Sequence, residues 1–132
     1  MSSKEIISRE KIVKKFPDLV LYLSCWDCED GWNGIIFDFL EILSGILKNK
    51  EDDDETMLPC CFKEKYGTLR IYMTSTMDIL DDLIDDASTS SEHTCEECGE
   101  DGVWFQEHGW YYVRCEECWG EHIPQHSKIR SS

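Results

Sequence analysis

Two Cys-x-x-Cys pairs near the C-terminus place the strongest constraint on how this chain can fold. Cys95 and Cys98 form the first pair, Cys115 and Cys118 form the second, and sixteen residues lie between the pairs. This spacing lets four thiolates surround one Zn²⁺ as a tetrahedron. The sequence therefore predicts a four-cysteine zinc site. Four protein ligands leave no open position for water or substrate, so the site predicts structure and not catalysis.

The segment between the cysteine pairs has the composition of a β-hairpin. Residues 103–106 and 110–114 are rich in aromatic and β-branched side chains and flank Glu107-His108-Gly109, a turn signal. A two-stranded ribbon is therefore expected between the pairs. Its core is small, so zinc should supply much of its folding free energy.

Hydrophobic periodicity predicts three helices in the preceding body. Apolar side chains recur at three- and four-residue steps over 3–16, 34–49 and 76–88. Pro17 should end the first helix, and Asn33 is predicted to be the N-cap of the second. The helix over 34–49 is expected to be the most deeply buried.

The other patterns of the body predict a hairpin and several loops. Apolar and polar residues alternate from 60 to 73 around a Glu64–Gly67 turn, which is typical of a β-hairpin. Turn residues dominate 25–34, and the five acidic residues 51–55 should form an exposed loop. Residues 88–91, Ser-Thr-Ser-Ser, are predicted to be a short linker.

These patterns predict an α+β fold in which helices pack on a β-hairpin and a zinc ribbon with four cysteine ligands follows at the C-terminus. The expected organisation is an acidic α+β body over 1–90, a zinc ribbon over 91–122 and a flexible tail over 123–132. His122 and His126 follow the last cysteine closely enough to replace a ligand. Because four cysteines already complete the site, both are interpreted as tail residues.

The net charge limits the classes of partner that this chain can bind. The sequence holds 13 basic and 28 acidic residues, which gives −15 at pH 7. Nucleic acid and anionic membrane are poor direct partners for such a surface. No apolar run approaches the roughly 20 residues of a membrane span, and no secretory signal is recognisable. A soluble protein of the cytoplasm is expected.

A second group of cysteines forms another candidate metal site. Cys25 and Cys28 are a third Cys-x-x-Cys pair, and Cys60 with Cys61 could complete a set of four ligands. Adjacent strand residues point to opposite faces, so the last two reach one metal only if the strand is bulged. Because cysteine is often fully buried, ordinary core thiols are the favoured interpretation.

The third predicted helix carries a dense acidic face. Residues 81–85 match the Asp-Asp-x-x-Asp pattern with which prenyl-diphosphate synthases hold Mg²⁺. Those enzymes need a large helical bundle and a second acidic motif, so a solvated face is the favoured interpretation. Five aspartates of this face are the candidate partner-binding residues: Asp78, Asp81, Asp82, Asp85 and Asp86.

No pattern of a catalytic centre is recognisable. No histidine has the sequence context of a nucleophile's base, and the zinc-deaminase signature is missing. Residues 92–122 contain nine acidic residues and Arg114 as their single basic one. A base-stacking platform needs a basic groove, so ribbon core or a protein interface is favoured for the aromatic residues of this segment. They are Trp104, Phe105, Trp110, Tyr111, Tyr112 and Trp119.

Four blocks of sequence resemble a family of small uncharacterised proteins of phages and prophages. The blocks are Cys28-Glu29-Asp30-Gly31-Trp32, Lys63-Glu64-Lys65-Tyr66-Gly67-Thr68-Leu69-Arg70-Ile71-Tyr72, Thr94-Cys95-Glu96-Glu97-Cys98-Gly99, and Gly109-Trp110 with the pair that starts at Cys115. The resemblance implies a compact α+β body with a terminal zinc knuckle, and it implies no activity. Family members often have His where this chain has Cys118.

The combined features predict a non-enzymatic accessory protein of phage type that acts by binding a basic host protein. Its negative surface could mimic nucleic acid and so inhibit a defence system such as restriction or CRISPR. Two alternatives stay open: a zinc-ribbon regulator associated with transcription or nucleic acid, and an enzyme with an unrecognised site. Salt-dependent DNA binding would favour the first, and a deep pocket with perturbed titratable groups would favour the second.

Overall fold

The computed structural model describes residues 6–48, 58–74, 78–107, 109–119 and 128–129. Helices are mixed with two three-stranded sheets, which confirms the α+β class predicted from the sequence. Within the described ranges, none of the helices combines the length and the apolar character needed to cross a membrane.

The described part of the chain contains three longer helices and two short ones, interspersed with the strands. In chain order they are α1 (Arg9–Lys15), a 3₁₀ helix (Asp30–Trp32), α2 (Asn33–Lys48), α3 (Asp78–Ser91) and α4 (Glu116–Trp119). The first sheet contains β1 (Cys25–Asp27), β2 (Pro59–Lys65) and β3 (Thr68–Met73) in that order, with β1 parallel and β3 antiparallel to β2. The second sheet has the order β5-β4-β6, built from β4 (Val103–Glu107), β5 (Trp110–Arg114) and β6 (Lys128–Ile129).

The predicted hairpin and the deeply buried helix are both confirmed. Tyr66 and Gly67 join β2 to β3 with φ of 57° and 74°, the left-handed conformation that a two-residue hairpin turn of the primed type requires. The Gly67 amide donates a 2.7 Å hydrogen bond to Glu64 Oε2. Four apolar residues of α2 lie at helical spacing and are almost completely buried in a core cluster that also contains residues of the first sheet and α3. They are Ile36, Phe39, Leu40 and Leu43.

The first helix begins later than the sequence pattern predicts. Ser8 is its N-cap, and the Ser8 hydroxyl oxygen accepts a hydrogen bond from the Lys11 amide at 3.1 Å. Residues 6–8 are therefore not helical, because the serine supplies a better helix start than the apolar pattern did.

The prediction that Asn33 is an N-cap is wrong. Its backbone is already helical, and its side-chain Nδ2 donates to the carbonyl oxygen of Ile7 at 2.7 Å and to Asp30 Oδ1 at 3.3 Å. This buried amide joins the start of the chain to the 3₁₀ helix.

The predicted linker over 88–91 is also wrong, because these serines form the last turn of α3. The Ser88 hydroxyl donates to the carbonyl of Leu69 at 2.7 Å, and the Leu69 amide donates to Ser91 Oγ at 2.8 Å. Their polar groups therefore bind the end of α3 to the backbone of β3. Residues 76–77, the predicted start of this helix, lie outside the described residues.

The structure differs from two further expectations. Residues 25–27, which have turn chemistry, form β1 because Cys25 pairs with Cys61 of the neighbouring strand. Residues 128–129, within the predicted flexible tail, form β6 and pair with β4. The predicted acidic loop over 51–55 lies outside the described residues, and the division into a body and a ribbon stays a prediction.

Candidate metal centre

Four thiols converge where the two cysteine pairs meet. The sulfur atoms of Cys95, Cys98, Cys115 and Cys118 all lie within 4.8 Å of one another, and Cys98 Sγ is 3.5 Å from Cys115 Sγ. A tetrahedral Zn²⁺ with Zn–S bonds of about 2.3 Å needs sulfur atoms about 3.8 Å apart. The spacing of the thiols thus fits a metal ion, and the four cysteines predicted as ligands are the ones that the fold brings together.

The first cysteine pair lies in a tight turn held by backbone hydrogen bonds. The Gly99 amide donates to the carbonyl of Cys95 at 2.9 Å, and the Cys95 amide donates to the carbonyl of Glu100 at 2.6 Å. Gly99 has φ of 83°, which favours glycine over other residues. These hydrogen bonds hold the two thiols of the first pair on one side of the turn.

The second pair lies where β5 ends. Cys115 follows β5 directly, and Cys118 lies in α4, one helical turn further along. The Cys118 amide points at Cys115 Sγ at 3.4 Å, an arrangement that favours a thiolate. β4 and β5 bring this turn back to the first pair.

The 3₁₀ helix of the body packs directly on the first pair. The Gly31 amide donates to the carbonyl of Glu96 at 2.8 Å, and Trp32 Nε1 donates to the carbonyl of Thr94 at 2.9 Å. A Cβ atom at position 31 would lie well under 3.0 Å from the carbonyl oxygens of Cys95 and Glu96. The close approach therefore requires glycine at this position, a role that the turn signals alone did not predict.

Glu96 connects the first pair to β5. Its amide donates to the carbonyl of Val113, and the Val113 amide donates to Glu96 Oε2, both at 2.8 Å. Burial, together with the nearby Glu29 carboxylate, raises the pKa of the Glu96 carboxyl to about 7. The hydrogen bond from the Val113 amide and the charge of Arg114 limit this rise in the pKa of Glu96. Arg114 also forms ion pairs with Glu29 at 3.9 Å and with Glu97 at 3.4 Å. Only the position of Glu96 between two cysteines could have suggested this role.

Three of the four thiols have shifted pKa values, and the shifts differ in direction. Burial raises the pKa of Cys98 to about 11 and also raises the pKa of Cys118. Burial opposes ionisation of Cys115 too, but hydrogen bonds from the Cys118 amide and the neighbouring thiols hold its pKa below the usual range. The Cys115 thiol therefore ionises more readily than those of Cys98 and Cys118, and a metal must displace protons from these two thiols when it binds.

The N-terminal cysteines are not gathered into a second group of four. The Cys25 and Cys61 sulfur atoms form a disulfide between the paired strands β1 and β2, with Cα atoms 4.8 Å apart. Cys28 is a free, buried thiol of the core, and burial raises its pKa to about 12. Cys60, also free, is half-buried. Among the described residues, the C-terminal site is the single group of three or more ligating side chains close enough to hold a metal.

The acidic face of α3 is exposed where the structure describes it. Asp81, Asp82, Asp85 and Asp86 all have exposed side chains, and α3 contains no lysine or arginine. The side chain of Asp78, at the first position of α3, lies outside the description. The four described carboxylates thus lie on one surface of the helix.

The aromatic residues of the ribbon form part of its packing. Phe105 is buried and stacks on Tyr112 with ring centroids 5.4 Å apart. The ring centroids of Trp104 and Tyr111 are 5.3 Å apart, and Trp104 Nε1 donates a hydrogen bond to the carbonyl of Tyr66 at 3.0 Å. Trp110 is 68% exposed. Most of the described aromatics thus support the ribbon and join it to the β2–β3 turn.

Comparison with known proteins finds no family model, no curated protein and no solved structure that matches this chain.

Proposed function

We propose that this protein is a zinc-stabilised, non-enzymatic binding protein of phage type whose acidic surface binds a basic host protein. The observation that carries the proposal is the exposed acidic face of α3, defined by Asp81, Asp82, Asp85 and Asp86. Such a face can occupy the basic groove with which a restriction or CRISPR nuclease holds nucleic acid. The protein would then inhibit the nuclease as a nucleic-acid mimic.

Zinc is the metal best suited to the four thiols. Sites of four cysteines with tetrahedral spacing are typical of structural zinc, which needs no redox partner and leaves no open coordination position. In this protein the ion would fix the position of the hairpin β4–β5 against the 3₁₀ helix. Its expected contribution is folding free energy, while the binding surface lies on α3.

The acidic face is unfavourable for the isolated protein. Like charges four residues apart on a helix, such as Asp82 and Asp86, destabilise it by about 0.2–0.5 kcal/mol per pair. A helix without lysine or arginine cannot relieve this repulsion internally. A basic groove would relieve it, and the charge complementarity would accelerate association at low salt.

The test compares wild type with the triple variant Asp81→Asn, Asp82→Asn and Asp85→Asn. Proteins captured from a bacterial lysate are identified and purified. The rate at which each one associates with wild type and with the triple variant is then measured by stopped flow at several salt concentrations. We expect the triple variant to keep its fold while its association becomes slower and less salt-dependent, since long-range attraction is lost. Restriction or CRISPR cleavage of DNA by the captured enzyme should recover in parallel.

A control variant with the same charge change separates the face from the net charge. Glu10→Gln, Asp18→Asn and Asp27→Asn remove three exposed charges elsewhere on the protein. This control should associate almost as fast as wild type. Equal rates for wild type and the α3 triple variant would rule out the mimicry proposal, and tight, salt-dependent binding of DNA alone would favour a nucleic-acid regulator instead.

A further inference from the structure

A cleft between α2 and α3 continues to the first cysteine pair. It consists of two adjoining cavities of about 290 and 190 Å³, and both are lined by Ile35 and Asp38. The larger cavity reaches Ile7, Thr94 and the turn of the first pair, and the smaller one reaches α3. We refer to the two together as the α2–α3 cleft.

The floor and walls of the smaller cavity are largely apolar. Phe39 and Ala87 are buried at its floor, and Ile35 and Leu83 are half-buried in its walls. Ile42 is 52% exposed at its end, although it belongs to a helix whose opposite face fills the core. Such side chains remain in water unless a partner covers them.

Acidic side chains surround this apolar surface. Asp38 and Asp86 are exposed carboxylates on facing helices, and Asp30 of the 3₁₀ helix, which forms an ion pair with Arg9 at 3.6 Å, lies at the other end. No lysine or arginine is among the described residues that line the cleft. The cleft thus combines an apolar floor with a negative rim, which is the complement of a segment that is apolar on one side and basic on the other.

We propose that the α2–α3 cleft binds a basic amphipathic helix of a partner protein. The inference rests on the proposed function for the class of partner, a basic protein, and adds the element of that partner that this chain recognises. The cleft shares Asp86 with the acidic face of α3, but Asp81, Asp82 and Asp85 do not line it.

The geometry of the cleft favours a helix over an extended peptide. Each wall presents side chains at positions i, i+3, i+4 and i+7: residues 35, 38, 39 and 42 of α2, and residues 83, 86, 87 and 90 of α3. Seven residues of helix rise about 10 Å, the distance over which an incoming helix offers an apolar stripe of the same spacing. Both walls are helices, so neither offers the unpaired sheet edge that an extended peptide would extend.

Synthetic peptides test this proposal without knowledge of the natural partner. The probe is an 18-residue fluorescent peptide of leucine and lysine with leucine at i, i+3, i+4 and i+7. A second peptide of the same composition alternates leucine and lysine, so its helix has no apolar face. We expect the first to bind at least tenfold more tightly in fluorescence anisotropy, because a helix-in-groove interface needs that spacing, and to become helical by circular dichroism. Equal affinity of the two peptides would overturn the helix proposal.

Two charge-matched double variants locate the binding site. Asp38→Asn with Asp86→Asn removes two charges from the rim, and Asp82→Asn with Asp85→Asn removes two from α3 outside the cleft. Each rim charge should contribute about a twofold to fivefold change in affinity, so the rim variant weakens the probe more than the control variant does. If both double variants weaken the probe equally, the binding is diffuse attraction and the cleft is not the site.

A variant that removes an apolar side chain from the cleft completes the test. Ile42→Ser changes an exposed side chain, so it should preserve thermal stability and weaken the probe at least tenfold if Ile42 contacts the bound helix. Unchanged affinity of this variant for the peptide would overturn the proposal. The proposal would also fail if the wild-type protein were a dimer that Ile42→Ser dissociates, because a second copy of the chain would then cover the cleft. If cleft variants weaken the probe but the triple aspartate variant of α3 leaves the captured partner unaffected, the cleft stands and nucleic-acid mimicry fails.

Discussion

Replacing Gly31 with alanine perturbs the contact between the body and the first cysteine pair. The new Cβ atom would lie well under 3.0 Å from the carbonyl oxygens of Cys95 and Glu96, whereas ordinary contact begins at 3.4 Å. The obstacles are backbone atoms, which cannot rotate away. The 3₁₀ helix and the turn must therefore separate by about 1 Å to relieve the overlap.

The expected cost follows from what this separation breaks. Inserting a methyl group into a packed contact costs about 1–3 kcal/mol, and each lost hydrogen bond costs about 0.5–1.5 kcal/mol. Two bonds cross this contact: Gly31 N–H to the carbonyl of Glu96, and Trp32 Nε1–H to the carbonyl of Thr94. The Gly31→Ala variant should lose about 2–6 kcal/mol of unfolding free energy in total. Its metal affinity should fall as well, because the first cysteine pair moves away from the second.

Gly45 supplies the matched control. It lies in α2, and a Cβ atom there would meet nothing within 4 Å. Gly45→Ala should raise the unfolding free energy by about 0.5–1 kcal/mol, since alanine has the higher helix propensity. Urea denaturation in excess zinc measures both effects, and competition with a chelator measures metal affinity. A Gly31→Ala variant as stable as wild type would refute the close contact on which this reasoning depends.

Two further predictions concern the cysteines. Purified protein should contain one zinc ion per chain by elemental analysis, and Cys115→Ser should lose it while circular dichroism retains much of the helical signal; fresh wild-type protein without zinc would contradict the site. Because burial raises the pKa of Cys28 to about 12, its thiol stays protonated at pH 8, and iodoacetamide should alkylate it far more slowly than half-buried Cys60. The Cys28 rate should increase as pH rises and thiolate forms; equal rates for the two thiols by mass spectrometry would show that Cys28 is accessible.

Local patterns predicted the elements whose cause is local. The helix α2 follows from apolar residues at helical spacing, and the β2–β3 hairpin follows from alternation around a turn at Tyr66 and Gly67. The cysteine spacing likewise predicted which four thiols meet. In each case the residues that determine the structure lie within a few helical turns or one hairpin, where backbone geometry leaves few possible conformations.

Polar residues were misinterpreted where their partners are distant in sequence. Ser88 and Ser91 have the composition of a linker, but hydrogen bonds to Leu69 make them the end of a helix. Asn33 has the chemistry of an N-cap, but its amide instead donates to Ile7 and Asp30. Side chains that favour caps and turns do so by bonding to the nearby backbone, and a buried distant carbonyl competes for the same groups.

One candidate binding surface is formed by residues close in sequence and the other by residues distant in sequence. The first is therefore easier to predict from the sequence. The acidic face of α3 is contributed by one helix, so its charge is readable from consecutive residues, 78–86, and their spacing. The α2–α3 cleft has no such signature, because its lining comes from the start of the chain, from two helices and from the turn that holds Cys98. Gly31 lines the larger cavity and also fixes the approach of that turn. The contact that positions the metal ligands therefore also forms one end of the cleft, and a change that separates the 3₁₀ helix from the first cysteine pair must alter both.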